Sequence, residues 1–193
     1  MFYFLLRFVC LVGSRIYIFV KKNGAKNIPK KGNFIICSNH IHSWDPAVIA
    51  VSTRRTLRFM ARKELLSNKF KSVFWRLMGA FPVDRSRADM SAYRNAIKVL
   101  NEGYGLVIFA QGTRMKEVDA KSAKGGVALF AHKSRAPIIP CGISGVYEPF
   151  STISVNFGKP ILLNEYYDKR LSSVDVDKIM FEVMSEVERL TKL

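Results

Sequence analysis

Cysteine is scarce in this chain of 193 residues, and its pattern excludes two classes of protein. The three cysteines (Cys10, Cys37 and Cys141) are odd in number, lie far apart and form no C-x-x-C pair. This pattern argues against a disulfide framework and against a zinc site, and it suits a reducing cytosol. The three histidines, at positions 40, 42 and 132, offer no convincing ligand set, so we expect no metal.

Acidic residues are also few, since 15 Asp and Glu stand against 31 Lys and Arg, for a formal net charge of +16. A charge of this size favours anionic partners, such as nucleic acid, an anionic membrane surface or phosphorylated small molecules. The chain lacks zinc-finger spacing, an aromatic RNA-binding stretch and a basic helix long enough to read a DNA groove. We therefore expect no nucleic-acid partner, although charge alone still allows a non-enzymatic basic protein that binds nucleic acid or membranes.

The first twenty residues are apolar apart from Arg7, Ser14 and Arg15, but they lack the basic start and the cleavage site of a secretory signal. On a helix, Arg7, Ser14 and Lys21 would fall on nearly one line. With the lysines between 21 and 31, this pattern predicts an apolar, membrane-associated N-terminal helix lying in the cytoplasmic leaflet. A helix packed on the core and a single membrane span are the alternatives. We assign this helix and a basic linker to residues 1–32, and the remaining domain to 33–193.

Strand-like and helix-like patterns alternate after residue 32, which predicts an α/β fold with a mainly parallel sheet flanked by helices. Continuous apolar runs such as 105–110 indicate strands covered on both faces. In such a sheet, chemistry takes place where loops leave the carboxyl ends of strands. The predicted strands are 33–38, 56–61, 105–110, 138–143 and 152–157, and the predicted helices are 46–52, 64–78, 88–101, 125–133 and 174–190.

The segment S-N-H-I-H-S-W-D, residues 38–45, holds two of the three histidines directly after a buried strand pattern. A carboxylate near an imidazole can fix its tautomer and stabilise its charged form, which leaves the other ring nitrogen to take a proton. His40 and Asp45 have the spacing for this, but His42 is an equal candidate on these grounds. Asp45 can also be the N-cap of a helix opened by Pro46. The nearby Cys37 belongs to an apolar strand, where a core role is the simpler interpretation.

Three further segments follow this one along the chain. Lys63 and the stretch F-P-V-D-R at 81–85 can bind a phosphate, although an Asp–Arg pair on a solvated loop is the plainer alternative. F-A-Q-G-T-R at 109–114 ends a buried strand in a glycine turn. A-P-I-I-P at 136–140 is an apolar strand bracketed by prolines, which a core strand would also explain.

Together, the four segments resemble the glycerolipid acyltransferases, specifically the bacterial-type 1-acyl-sn-glycerol-3-phosphate acyltransferases. Asn39, His40 and Asp45 match the family's N-H-x4-D motif, and 63–65 (K-E-L) resemble its K-x-E-L motif. Gly79 with 81–85 matches a G-x-F-P-V-D-R-like stretch, 109–114 resemble F-P-E-G-T-R, and 136–140 resemble a V-P-x-x-P-like strand. Two positions depart from the family: Ala110 replaces a proline, and Gln111 replaces a glutamate and so removes a charge.

The resemblance implies acyl transfer from a thioester to the free hydroxyl of 1-acyl-sn-glycerol-3-phosphate, with His40 as general base and Asp45 orienting it. It implies no cofactor, with acyl-CoA or acyl carrier protein as co-substrate, and it implies lysophosphatidic acid and an anionic membrane as partners. The expected location is the cytoplasmic face of the cell membrane. Gln111 leaves a different lysolipid acceptor open. The implied substrate-binding residues are Lys63, Arg85, Gln111, Gly112, Thr113, Arg114 and Lys124.

Overall fold

The computed structural model describes residues 17–66, 69–84, 89–111 and 125–193, where seven strands form one sheet with helices on both faces. The strands follow the order β1-β7-β6-β2-β5-β3-β4, and all neighbours are parallel except β6 and β7. The predicted α/β class with a mainly parallel sheet is therefore confirmed. The strands are β1 (Phe19–Asn23), β2 (Phe34–Ser38), β3 (Leu57–Arg62), β4 (Ala80–Val83), β5 (Gly105–Phe109), β6 (Ile138–Gly145) and β7 (Thr152–Phe157). The helices are α1 (Asp45–Ser52), α2 (Lys69–Leu77), α3 (Met90–Asn101), α4 (Gly126–Ser134) and α5 (Ser173–Thr191).

The central strand β2 contains a continuous apolar run, with no alternation of apolar and polar residues. Its side chains point alternately to the two faces of the sheet. Phe34 and Ile36 enter one core, which α1 covers, while Ile35 and Cys37 enter a second core, which α3, α4 and α5 cover. All four side chains are fully buried, so both faces require apolar residues.

The N-terminal part of the described chain corrects one prediction. Residues Phe19–Asn23 form the edge strand β1, which pairs in parallel with β7, so Lys21 lies on a strand and not on a helical stripe. The basic stretch assigned to a linker thus begins within the sheet. Pairing satisfies the outer backbone groups of β7, and an edge strand tolerates polar side chains because they face solvent.

Residues 1–16 of the predicted helix lie outside the described residues. None of the helices in the described ranges is both long and apolar enough to cross a bilayer.

The other edge of the sheet also differs from expectation. No strand was predicted over Ala80–Val83, but this stretch forms β4 and pairs in parallel with β3. Pro82 has no backbone N–H to donate. This is tolerated because β4 is an edge strand, and its solvent-facing side has no neighbouring strand to bond in the described part of the chain. The helix predicted over 64–78 is interrupted as well, since Lys63–Leu66 form a 3-10 turn before α2 begins.

Close contact between β6 and α5 fixes the strand that borders the active site. A Cβ atom on Gly142 would lie 2.5 Å from the carbonyl carbon of Leu190, so only glycine permits this approach. The buried side-chain amide of Asn156 donates to the Leu190 carbonyl oxygen at 2.8 Å. The end of α5 is thereby held against β6 and β7, and β6 carries the next residue, Ile143, into the site.

Candidate active site

The candidate site lies at one edge of the sheet, where five parallel strands end. Because β2, β3, β4, β5 and β6 are mutually parallel or linked through parallel neighbours, their carboxyl ends meet at this edge. This is the location that the sequence predicts for an α/β sheet. The segments that leave these ends are 39–44 after β2, Lys63 after β3, Asp84 after β4, 110–111 after β5 and 146–151 after β6.

The Asp45 carboxylate is the centre of the site and is fully buried. Its Oδ2 accepts from the backbone N–H of Ile41 at 2.7 Å and of His42 at 2.8 Å, and it lies 2.6 Å from Nδ1 of His40. Its Oδ1 accepts from the hydroxyl of Tyr147 at 2.6 Å. A buried carboxylate is tolerated when donors replace its water, and these four donors do so.

These bonds correct the predicted N-cap role of Asp45. Asp45 is the first residue of α1, and Trp44 occupies the N-cap position without a side-chain cap bond. Because the Asp45 carboxylate turns back towards Ile41 and His42, it organises the preceding loop instead of the helix start. Pro46 then stands at the second helical position, where its missing N–H is tolerated in the first turn.

His40 is held on two sides. Its Nδ1 contacts Asp45, and its ring stacks on Phe109 with centroids 4.1 Å apart and an interplanar angle of 21°. The His40 side chain is 15% exposed, so only a small part of the ring is accessible from solvent. With Nδ1 donating to the carboxylate, the neutral ring has its lone pair on Nε2, which is the arrangement a general base requires.

His42 has a different environment, and this settles which histidine pairs with Asp45. Its Nδ1 accepts from the backbone N–H of Trp44 at 3.3 Å, and its ring stacks on Tyr147 at 4.3 Å. The side-chain partner of Asp45 on this loop is therefore His40, while the contribution of His42 is its backbone N–H.

Asn39 anchors the loop to the neighbouring strand. Its amide nitrogen donates to the Ile143 carbonyl at 2.8 Å, and its amide oxygen accepts from the Ile143 N–H at the same distance. Both hydrogen bonds are buried, so they fix the start of the 39–44 loop to β6. The positions of His40 and Asp45 therefore depend on β6. Its position directly before His40 in the N-H-x4-D motif was the sequence signal for Asn39.

Tyr147 was missed by sequence reasoning. It follows β6 by two residues and belongs to none of the four motifs. A tyrosine in a short turn does not by itself predict a functional role. Tyr147 and Asp45 are 102 residues apart in sequence, and the fold brings them into contact.

Two of the predicted substrate-binding residues lie at the same edge of the sheet. Gln111 is buried directly after β5, next to the strand that carries His40. Lys63 follows β3, two strand positions or about 10 Å from β2. The Lys63 ammonium is half exposed and donates to Asp84 at 2.8 Å. Five others lie outside the described residues: Arg85, Gly112, Thr113, Arg114 and Lys124.

Burial keeps the two described cysteines protonated. Burial raises the pKa of Cys37 to about 12 and that of Cys141 higher still. A thiolate is the nucleophilic form, so Cys37 is a core residue and not a partner of His40 in a Cys–His pair. Within the described ranges, no group of three His, Cys, Asp or Glu side chains is placed to hold a metal ion.

Comparison with known proteins defines the class. The sequence pattern of the Acyltransferase family matches residues 19–144, from β1 almost to the end of β6. The chain therefore belongs to this family, as its motifs predicted.

The relatives are more specific. Proteins named 1-acyl-sn-glycerol-3-phosphate acyltransferase from Streptococcus pneumoniae and Borreliella burgdorferi are each 31% identical to this chain, over 165 and 184 residues. These alignments cover 82% and 88% of this chain, but 60% and 72% of the relatives, so the chain spans less than two thirds of the streptococcal protein. The crystal structure of PlsC, the 1-acyl-sn-glycerophosphate acyltransferase of Thermotoga maritima, superposes with a TM-score of 0.73 at 25% identity. That superposition covers 97% of this chain and 80% of PlsC.

We predict that Cys37 resists alkylation by iodoacetamide at pH 8 in the folded protein. With a pKa of about 12, about one thiol in ten thousand is ionised at this pH. Labelling should increase as the pH rises, and it should become rapid at pH 8 in urea, where the pKa returns to its ordinary value. Peptide mass spectrometry measures each cysteine separately. Fast labelling of Cys37 in the folded protein would contradict the assignment.

Proposed function

We propose that the protein transfers a fatty acyl group from acyl-CoA, or from acyl carrier protein, to the free hydroxyl of 1-acyl-sn-glycerol-3-phosphate, giving phosphatidic acid. One observation carries the proposal: His40 Nδ1 lies 2.6 Å from a fully buried carboxylate, which leaves Nε2 as the basic nitrogen. Relatives that are named for this reaction support the choice of substrates.

In the proposed mechanism, the acceptor hydroxyl passes its proton to His40 Nε2 while its oxygen attacks the thioester carbonyl carbon. The new C–O bond forms a tetrahedral intermediate, whose collapse breaks the C–S bond. His40 then returns the proton to the departing sulfur. Asp45 keeps the imidazole in the required tautomer and stabilises the imidazolium formed between the two proton transfers. No covalent enzyme intermediate, metal or cofactor takes part.

We assign recognition of the acceptor phosphate to Lys63, Arg85, Arg114 and Lys124, and we propose Gln111, Gly112 and Thr113 as further substrate-binding residues. Arginine can hold a phosphate through two parallel hydrogen bonds, and lysine acts beside it as a point charge. The position of Lys63 at this edge of the sheet supports its assignment. The Lys63 side chain is half exposed, so its ammonium is accessible to a phosphate beside Asp84.

A second candidate function is transfer to a different lysolipid. The observation that favours it is Gln111, a neutral and buried side chain at the carboxyl end of β5, beside the strand that leads to His40. The family motif has a glutamate here. A glutamine keeps hydrogen bonds to an acceptor but removes the ionic interaction.

We further propose that the protein works at an anionic membrane surface on the cytoplasmic side. The charge of +16 supports this, as does a group of exposed aromatic side chains. Tyr17, Phe19 and Phe150 are each more than half exposed. They lie together because the Phe150 N–H donates to the Tyr17 carbonyl at 2.7 Å. This group lies where β7 begins, at the sheet edge that also holds His40.

We predict that thiol release from a long-chain acyl-CoA by the detergent-solubilised protein requires lysophosphatidic acid. The hydroxyl of the acceptor is the nucleophile, so no transfer occurs without it. Lysophosphatidylglycerol, supplied in parallel, tests the second candidate, and acyl carrier protein replaces CoA as donor in a further arm. Release that does not depend on an acceptor, or no release with either donor, would contradict the proposal.

We predict that Phe150→Ser weakens binding to anionic vesicles several-fold, because an exposed aromatic ring that inserts into the interface contributes apolar burial. Phe181→Ser is the matched control, since Phe181 is similarly exposed but lies on α5. Co-sedimentation with vesicles of phosphatidylglycerol and phosphatidylcholine measures binding. Equal loss in the two variants would show that the Tyr17–Phe150 group is not the membrane contact.

A further inference from the structure

Tyr147 connects two parts of the site that the motifs do not link. It stands in the turn between β6 and β7, and its hydroxyl donates to Asp45 Oδ1 at 2.6 Å. Its ring stacks on His42 with centroids 4.3 Å apart and an interplanar angle of 22°. A single side chain thus contacts both the carboxylate and the loop that folds over it.

The two oxygens of Asp45 are bonded from different directions. The 39–44 loop supplies every described donor to Oδ2, whereas the described donor to Oδ1 is Tyr147. Contacts at both oxygens fix the rotation of the carboxylate group, and that rotation directs Oδ2 at Nδ1 of His40. Without Tyr147, Oδ1 would lose its donor in a fully buried position, and the carboxylate would have to turn or admit water.

The Tyr147 hydroxyl is suited to this task because it keeps its proton. Burial first, and then the charge of Asp45, raise the pKa of Tyr147 well above its ordinary value. The other titratable groups near Asp45 from the described elements are His40 and His42 on the loop and the thiol of Cys141 in β6, which burial keeps protonated. Tyr147 is therefore a neutral donor at neutral pH.

We propose that Tyr147 is a positioning residue for acyl transfer, whose hydroxyl holds the Asp45 carboxylate in the orientation that bonds His40. The inference rests on the proposed function, because it assigns His40 the role of base. Tyr147 itself touches no reacting atom. Its effect is expected in the rate of the chemical step and not in the binding of either substrate.

The test is Tyr147→Phe, which removes the hydroxyl and keeps the ring that stacks on His42. We expect kcat to fall about tenfold to a hundredfold, the loss typical of a hydrogen bond to a charged group, with both KM values unchanged. Tyr93→Phe is the control, since it removes the same hydroxyl from a tyrosine of α3 whose ring lies against Phe130. This change should leave kcat unaltered. Near-UV circular dichroism reports whether each variant is folded.

A double-mutant cycle separates positioning from a general loss of structure. If Tyr147 acts through Asp45, then Tyr147→Phe should reduce kcat little further in an Asp45→Asn background. Wild-type kcat in Tyr147→Phe would overturn the proposal, as would losses in the two single variants that multiply in the double variant.

A proton NMR measurement tests the positioning role without relying on turnover. The downfield proton NMR resonance of the hydrogen bond between His40 and Asp45 should be lost in Asp45→Asn, move in Tyr147→Phe and stay in place in Tyr93→Phe. An unmoved resonance in Tyr147→Phe would overturn the proposal. Failure of the proposed function would instead appear as a wild-type protein without acyl transfer, and this measurement would still decide whether Tyr147 orients Asp45.

Discussion

The Asp45 carboxylate has no contact with solvent, and a buried charge is stable only where hydrogen-bond donors surround it. Two of its donors are backbone N–H groups, which fixes the path of the 39–44 loop. A third is the imidazole of His40, and the fourth is the hydroxyl of Tyr147 from a distant turn. The geometry of the site thus follows from the hydrogen bonds that one buried carboxylate requires. Because Nδ1 of His40 is bonded to Asp45, the proposed chemistry uses the other ring nitrogen, Nε2.

The sheet makes this arrangement possible by placing β2 between β5 and β6. From β5 comes Phe109, against which His40 stacks, and from β6 comes Ile143, to which Asn39 bonds twice. The contact of Gly142 with α5 then ties β6 to the second core. Packing far from the reacting groups therefore determines where the imidazole lies, which is why the site is built at the ends of rigid strands and not on an isolated loop.

The sequence was most informative where a pattern has one physical interpretation. A continuous apolar run such as Phe34–Cys37 is such a pattern, because it requires burial on both faces. Spacing could not choose between His40 and His42, nor between capping and loop organisation for Asp45, because those choices depend on the direction in which the chain leaves β2. Strand β1 was missed since an edge strand keeps one side in water and needs little apolar content, whereas β4 was missed since it is four residues long and contains Pro82.

Tyr147 shows the limit most clearly. Its role depends on a contact across 102 residues of chain, and no local pattern encodes it. Fold and site thus differ in how far sequence predicts them: the alternation of strands and helices is local, whereas the set of donors around Asp45 is assembled by the topology.

The most direct test of the account compares acyl transfer by His40→Asn and His42→Asn with that of the wild-type protein, in one assay and at one pH. Both changes replace an imidazole by an amide on the same loop, and both leave the backbone donors to Asp45 in place. The account predicts that His40→Asn loses at least about a hundredfold in kcat, as expected for removal of a general base, while His42→Asn retains most of it. Near-normal turnover by His40→Asn, or the greater loss in His42→Asn, would contradict it.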